Sequence, residues 1–156
     1  MKAPDLDLAV LGNCAIAALV DQRARIQWCC IPRFDGDPVF CNLLRDPQLE
    51  PDGLFEIELI GFSRSRQSYI RNSAVLETIL SDDSGGEIRI VDFIPRFYRH
   101  RRIFRPVSIV RLIEPLSGVP RMRVRCKPRH AYGRHRPQIT RGSNHIRYVL
   151  GHEVLR

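Results

Sequence analysis

Residues 25–40, RIQWCCIPRFDGDPVF, gather the single tryptophan, Trp28, two adjacent cysteines, Cys29 and Cys30, and the triplet Arg33-Phe34-Asp35. Pro32 ends the strand with which the stretch begins, so the residues after it must turn off the sheet into a loop at its edge. An arginine and an aspartate on either side of an aromatic ring suit sugar hydroxyls, because each makes paired hydrogen bonds while the ring covers an apolar sugar face. The same spacing equally lets Arg33 and Asp35 pair with each other inside the loop. Cys29-Cys30 suggests metal or redox chemistry. Vicinal cysteines on a strand point to opposite faces, however, and cannot readily share one tetrahedral ion, and no CxxC pair occurs. They read as small hydrophobes on either side of a strand, and no metal site is expected.

The remaining chemistry-bearing residues are scattered. All five histidines, His100, His130, His135, His145 and His152, lie after residue 93 without zinc-motif spacing, and that region offers a catalytic dyad only Glu114 and Glu153 as carboxylate partners. Asp82-Asp83 falls in a turn, with no enclosing pocket to make the pair a general acid and base. No catalytic residue and no cofactor is expected in this chain. RFYRHRRIFR, residues 96–105, interleaves aromatics with arginines as single-strand nucleic-acid platforms do. The aromatics do not recur at strand spacing beyond it, so an exposed hairpin is preferred and nucleic-acid binding is disfavoured.

These residues must be positioned by short elements. With 156 residues, 44% hydrophobic and 27% charged, the chain has the size and composition of one domain, residues 1–156, around one core. Eleven prolines and ten glycines between runs of Ile, Val, Leu, Phe and Arg favour a mostly β fold. LDLAVLG and CAIAALVD read as strands turning at Gly12-Asn13, with RIQWCCI as the third strand. PVFCNLLRD, opened by Pro38 and closed by Pro47, reads as one short helix. RMRVRCK alternates strictly, predicting a strand whose Met122, Val124 and Cys126 face a dry side and whose arginines face a wet one. DDSGG reads as a hairpin turn, and GHEVLR as a strand just beginning. Ten or so such strands predict a two-sheet antiparallel β-sandwich.

Charge divides the chain. Residues 1–93 hold 9 Lys+Arg against 15 Asp+Glu, and residues 94–156 hold 16 against 2. The expectation is that basic strands meet the acidic half, rather than that a basic surface binds a polyanion. Five cysteines at irregular spacing imply no disulfide framework, hence reduced thiols and a cytoplasmic location. LAVLGNCAIAALV follows Asp5 and Asp7 and is too short to span a bilayer, so it reads as buried strands, and no targeting or membrane segment is expected.

LGNCAIAALVDQRARIQWCCIPRFDGDPVFCNLL, YIRNSAVLETIL, EIRIVDFIPR, VRLIEPLSGVPRMRVRCKPRHAYGR and EVLR resemble, in order, the N-terminal domain of glycoside hydrolase family 15 proteins, the glucoamylases and trehalase-like enzymes. The resemblance implies that the chain is part of a larger super-β-sandwich and an incomplete N-terminal domain of a hydrolase. It also implies, as partner, an (α/α)₆ barrel that cleaves an α-glucoside with inversion, using two carboxylic acids. It places Trp28 under a loop at the rim of the barrel's pocket, with Arg33, Phe34 and Asp35 at the substrate or domain boundary. A second loop, Pro128-Arg129-His130-Ala131-Tyr132-Gly133, departs from the family's Pro-Arg-Phe-Asp-Tyr-Gly by losing a ring and a carboxylate. An incomplete sandwich would expose apolar sheet surface and self-associate. The other readings are a basic polyanion-binding module and a truncated remnant.

Overall fold

In the computed structural model, which describes residues 6–46 and 48–156, alternating apolar residues and frequent turn residues resolve into fifteen short strands. They are β1 (Leu8–Gly12), β2 (Ala17–Asp21), β3 (Ile26–Cys30), β4 (Pro38–Cys41), β5 (Leu54–Leu59), β6 (Phe62–Tyr69), β7 (Leu76–Asp82) and β8 (Glu87–Phe93). After these come β9 (Phe97–Arg99), β10 (Arg102–Phe104), β11 (Val110–Ser117), β12 (Met122–Lys127), β13 (Gln138–Arg141), β14 (Ile146–Leu150) and β15 (Glu153–Leu155). One antiparallel sheet runs β1-β2-β3-β5-β12 with β4 on β3, and a second runs β11-β8-β7-β6. A two-stranded hairpin, β9-β10, and a three-stranded sheet, β13-β14-β15, complete the chain. The β-sandwich read from the sequence is the fold observed. Among the described residues no helix is long and apolar enough to cross a membrane.

Two apolar clusters lie between the sheets. In the first, Ala18, Cys29 and Phe40 line up across β2, β3 and β4, with Leu76 of β7 opposite. The second joins Ile57 and Leu59 of β5 to Leu80 of β7 and to Ile88 and Ile90 of β8. Burial of these side chains stabilises the fold by about 1.5–3 kcal/mol each before entropy is counted.

The short helix expected from Pro38 is a strand followed by a single 3-10 turn at Asn42–Leu44. All four residues of β4 are buried, and Phe40 pairs with Cys29, so the inside of the sandwich recruits a segment whose spacing also fits a helix. Proline is tolerated there because it opens the strand. The expected helix stop at Pro47 lies outside the described residues. The backbone N–H groups of Cys41 and Asn42 both donate to Gly53 O, at 2.8 and 3.1 Å. Gly53 has φ +65°, and a methyl group there would come within 2.9 Å of Cys41 Sγ. Gly53→Ala should therefore lower stability by about 1–2 kcal/mol, read from the midpoint of urea unfolding.

Strand β12 forms where expected, but burial along it does not alternate. Met122 and Val124 are 42% and 53% exposed, although Val124 pairs with buried Ile57, and Cys126 alone of the three packs against the core; β12 is the outermost strand of its sheet. The arginines of that strand meet the acidic half as expected. Arg125 Nε donates to Glu56 Oε2 at 2.8 Å, and Arg123 and Arg125 both lie within 3.5 Å of Glu58.

Between the sheets sits an ion pair that was not anticipated from the sequence. Arg111 of β11 and Asp92 of β8 are directly opposed, with side-chain exposures of 4% and 0%. Arg111 Nε and Nη2 donate to Asp92 at 2.8 and 2.9 Å, Nη1 donates to Phe55 O at 3.0 Å, and Nη2 also donates to Ala24 O. Its guanidinium lies 4.8 Å from the Phe55 ring centroid. One side chain thus ties the second sheet to the first.

Candidate functional site

Strand β3 ends at Cys30, and the chain leaves the sheet through a cis Ile31-Pro32 bond into the loop holding Arg33, Phe34 and Asp35. Arg33 Nε and Nη2 each donate to a separate oxygen of Asp35 at 2.9 Å, and Gly36 N donates to Arg33 O at 3.1 Å to close the turn. The hydrogen bond from Arg33 holds the Asp35 carboxyl below the usual carboxylate range, and the same bond raises Arg33. Both side chains are exposed, and so is the Phe34 ring. Of the two arrangements open to this triplet, internal pairing is the one present. It leaves a flat, fixed ion pair beside an aromatic face at the surface.

Trp28 is half-buried on β3, opposite Leu19 of β2 and Cys41 of β4. The two cysteines separate to opposite sides as the strand period requires. Cys29 lies in the core, where burial pushes its thiol up to about 12. Cys30 is raised by burial too, against an opposing hydrogen bond from Trp28.

Pro32 lines a cleft of about 720 Å³ with walls of Val39, Phe40, Phe55 and Tyr148. Arg33, Phe34 and Asp35 stand outside it. Among the described residues that line it, Glu153 is the one acidic side chain. Tyr148, whose hydroxyl donates to Cys126 O at 3.2 Å, is pushed up to about 12 by burial first and by the neighbouring Cys126 thiol second. Asp82, of the Asp82-Asp83 pair, is spent on its turn: its Oδ1 accepts from Ser84 N, Ser84 Oγ and Gly86 N, each at 2.8 Å.

A polar chain under the second loop was not anticipated. Asp21 accepts from Gln27 at 2.7 Å, Gln27 from Asn42 at 2.5 Å, and Asn42 from Asp52 N at 3.2 Å. Asp52 ends the series in a two-pronged pair with Arg129, with Arg45 3.8 Å away. The second loop therefore holds Arg129 in a structural role. Burial alone would raise the Asp52 carboxyl; hydrogen bonds from Arg129 and Gly53 and the charges of Arg129 and Arg45 outweigh it, and the net shift is downward. A depressed folded-state value contributes stability above the unfolded value of about 3.9, and that contribution is lost as pH falls through the folded one. Asp52→Asn should accordingly flatten the acid side of the stability profile below about pH 4. Denaturant titrations at pH 3, 4 and 6, chosen around that value, check it. Parallel profiles for the two proteins would be the contrary result.

The chain is thus an antiparallel β-sandwich domain with paired polar groups on its exposed loops and a largely apolar cleft. The chain belongs to the trehalase-like N-terminal domain family, whose family model matches residues 2–154. It is similar to trehalase 2 of Sulfolobus acidocaldarius, at 30% identity over 128 residues, covering 82% of this chain and 19% of that protein. It is also similar to trehalase 1 of the same organism, at 33% over 143 residues, covering 91% and 22%. The chain thus spans about a fifth of the length of these curated relatives. No solved structure gives a significant match.

Proposed function

We propose that this chain serves as the N-terminal β-sandwich of a trehalase-like hydrolase of the glycoside hydrolase family 15 type. In this reading the catalytic acids reside on an (α/α)₆ barrel in the same polypeptide, and the Arg33–Asp35 loop contributes to the rim of the pocket that takes an α-glucoside. The observation that carries it is the family match over residues 2–154, together with relatives named trehalases of which the chain covers about a fifth. The pre-formed Arg33–Asp35 pair supports the rim role, since a fixed carboxylate and guanidinium beside a ring present sugar hydroxyls with acceptors and donors already in place.

The test is glucose release from trehalose and from malto-oligosaccharides by the natural full-length product. Residues 1–156 alone should release none. Asp35→Ala in the full-length protein should lower kcat/KM by about tenfold, roughly the loss of one charge-assisted hydrogen bond. Unchanged turnover together with unchanged domain association would remove the loop from the site.

Separated from a partner, the chain should self-associate. Val119 is 93% exposed, and Leu112, Leu116, Met122 and Val124 stand open along β11 and β12, the edge strands of the two large sheets. Sedimentation velocity of residues 1–156 should show dimers or larger species, reduced by Val124→Lys. A monodisperse monomer for the unaltered chain would contradict this.

A further inference from the structure

Several arginines on the two large sheets find carboxylates: Arg89 pairs with Glu77 and Glu114, Arg111 with Asp92, and Arg125 with Glu56. Those of the β9-β10 hairpin do not. Residues 96–105 carry five arginines and no acid, all ten residues are exposed, and none of the five forms an ion pair among the described residues.

An isolated two-stranded hairpin is marginal in water, yet this one is held at its root. Asn13, buried between the two feet, donates from Nδ2 to Pro95 O and to Pro106 O, both at 2.9 Å. Arg96 and Arg105 add contacts to Cys14 Sγ and Cys14 O at 3.3 and 3.4 Å. Along the hairpin, Phe97 and Phe104 stack at 5.8 Å and 12°, while Tyr98 is 78% exposed. At the tip His100 and Arg101 have φ +48° and +61°. This mirror-image turn suits a hairpin, but its usual occupants are Asn and Gly, and two larger residues there strain the backbone. They set a cation and an imidazole, both exposed, at the hairpin tip.

From this we infer that β9-β10 is a docking arm for an acidic protein surface with an apolar centre. Resting on the reading above, that surface belongs to the catalytic domain of the same polypeptide. Aromatic and arginine side chains are the groups enriched where protein interfaces are tightest, and five unpaired cations orient the approach. A nucleic acid fits less well: Phe97 and Phe104 each spend a face on the other, which leaves Tyr98 as a lone platform where successive bases need several.

The experiment places the photo-cross-linker p-benzoylphenylalanine at Tyr98 in the natural full-length protein and maps the adduct by mass spectrometry. The expected adduct lies beyond residue 156, in a stretch with surplus Asp and Glu. The combined change His100→Asn, Arg101→Gly and Arg102→Glu keeps the turn but lowers the positive charge of the arm, and should cut the yield by about tenfold or more without lowering the melting temperature. Rising salt should cut it as well. A larger charge change, Arg134→Glu with Arg136→Glu in another exposed basic segment, should leave the yield unchanged. Adducts confined to residues 1–156, co-purified nucleic acid cross-linked at the arm, or a yield indifferent to arm charge would each overturn the inference while leaving an active hydrolase intact. A natural product ending at Arg156 would overturn it together with the proposed function.

Discussion

Asp92→Ala should lower the unfolding free energy by about 3–5 kcal/mol, because it leaves the Arg111 guanidinium charged, buried and without its counter-ion. Both side chains are essentially inaccessible, and two of the arginine's contacts are carbonyls from the opposite side of the sandwich, Phe55 on β5 and Ala24 in the β2-β3 turn. The loss therefore reaches both sheets. For a chain of this length it corresponds to a fall of roughly 10 °C or more in melting temperature. Asp92→Asn, which retains the shape, gives a graded version should the alanine variant fail to fold. The pair Arg111→Met with Asp92→Leu should recover most of the loss, since an apolar replacement of similar volume removes the desolvated charges together. Calorimetry of the three proteins decides the matter: an alanine variant within about 1 kcal/mol of the parent would mean that the arginine escapes to water.

Asn13→Ala is the second large effect, at about 2–4 kcal/mol. The amide uses its full capacity: Nδ2 holds Pro95 O and Pro106 O, and Oδ1 accepts from Ala15 N and Ile16 N at 3.0 and 3.2 Å. Removing it strands backbone groups at a buried point and frees both feet of the β9-β10 hairpin. Hydrogen exchange should show protection lost first across residues 97–104, ahead of global unfolding. Asn13→Asp should be worse at neutral pH, because it sets a carboxylate against two carbonyl oxygens, and should recover as pH falls and the group protonates. Uniform loss of protection over the whole chain would separate Asn13 from the arm.

How much of this was legible can be judged from particular residues. The turn at Gly12-Asn13 announced itself, but not that Asn13 reaches residues 82 and 93 positions away. Arg111 and Asp92 each interrupt an apolar strand, in SIVRLIE and RIVDFIP, and that shared irregularity was the available signal for a buried pair. The Arg33-Phe34-Asp35 triplet was legible as a loop, and its spacing admitted two arrangements between which the fold chose. Pro38–Cys41 misled because proline followed by apolar residues three to four apart serves the first turn of a helix and a fully buried edge strand equally well.

Taken alone, the amino-acid sequence determined the antiparallel β-sandwich, the unlike charges of its two halves and the resemblance to trehalase-like domains. Those properties are written in residue type, in period two and in order along the chain. The tertiary structure decided which charges are buried in pairs and which stand unpaired on an arm, and it left Met122 and Val124 of β12 uncovered. Such outcomes depend on which strands become neighbours, and strand neighbourhood is a property of the folded sheet that local spacing does not encode.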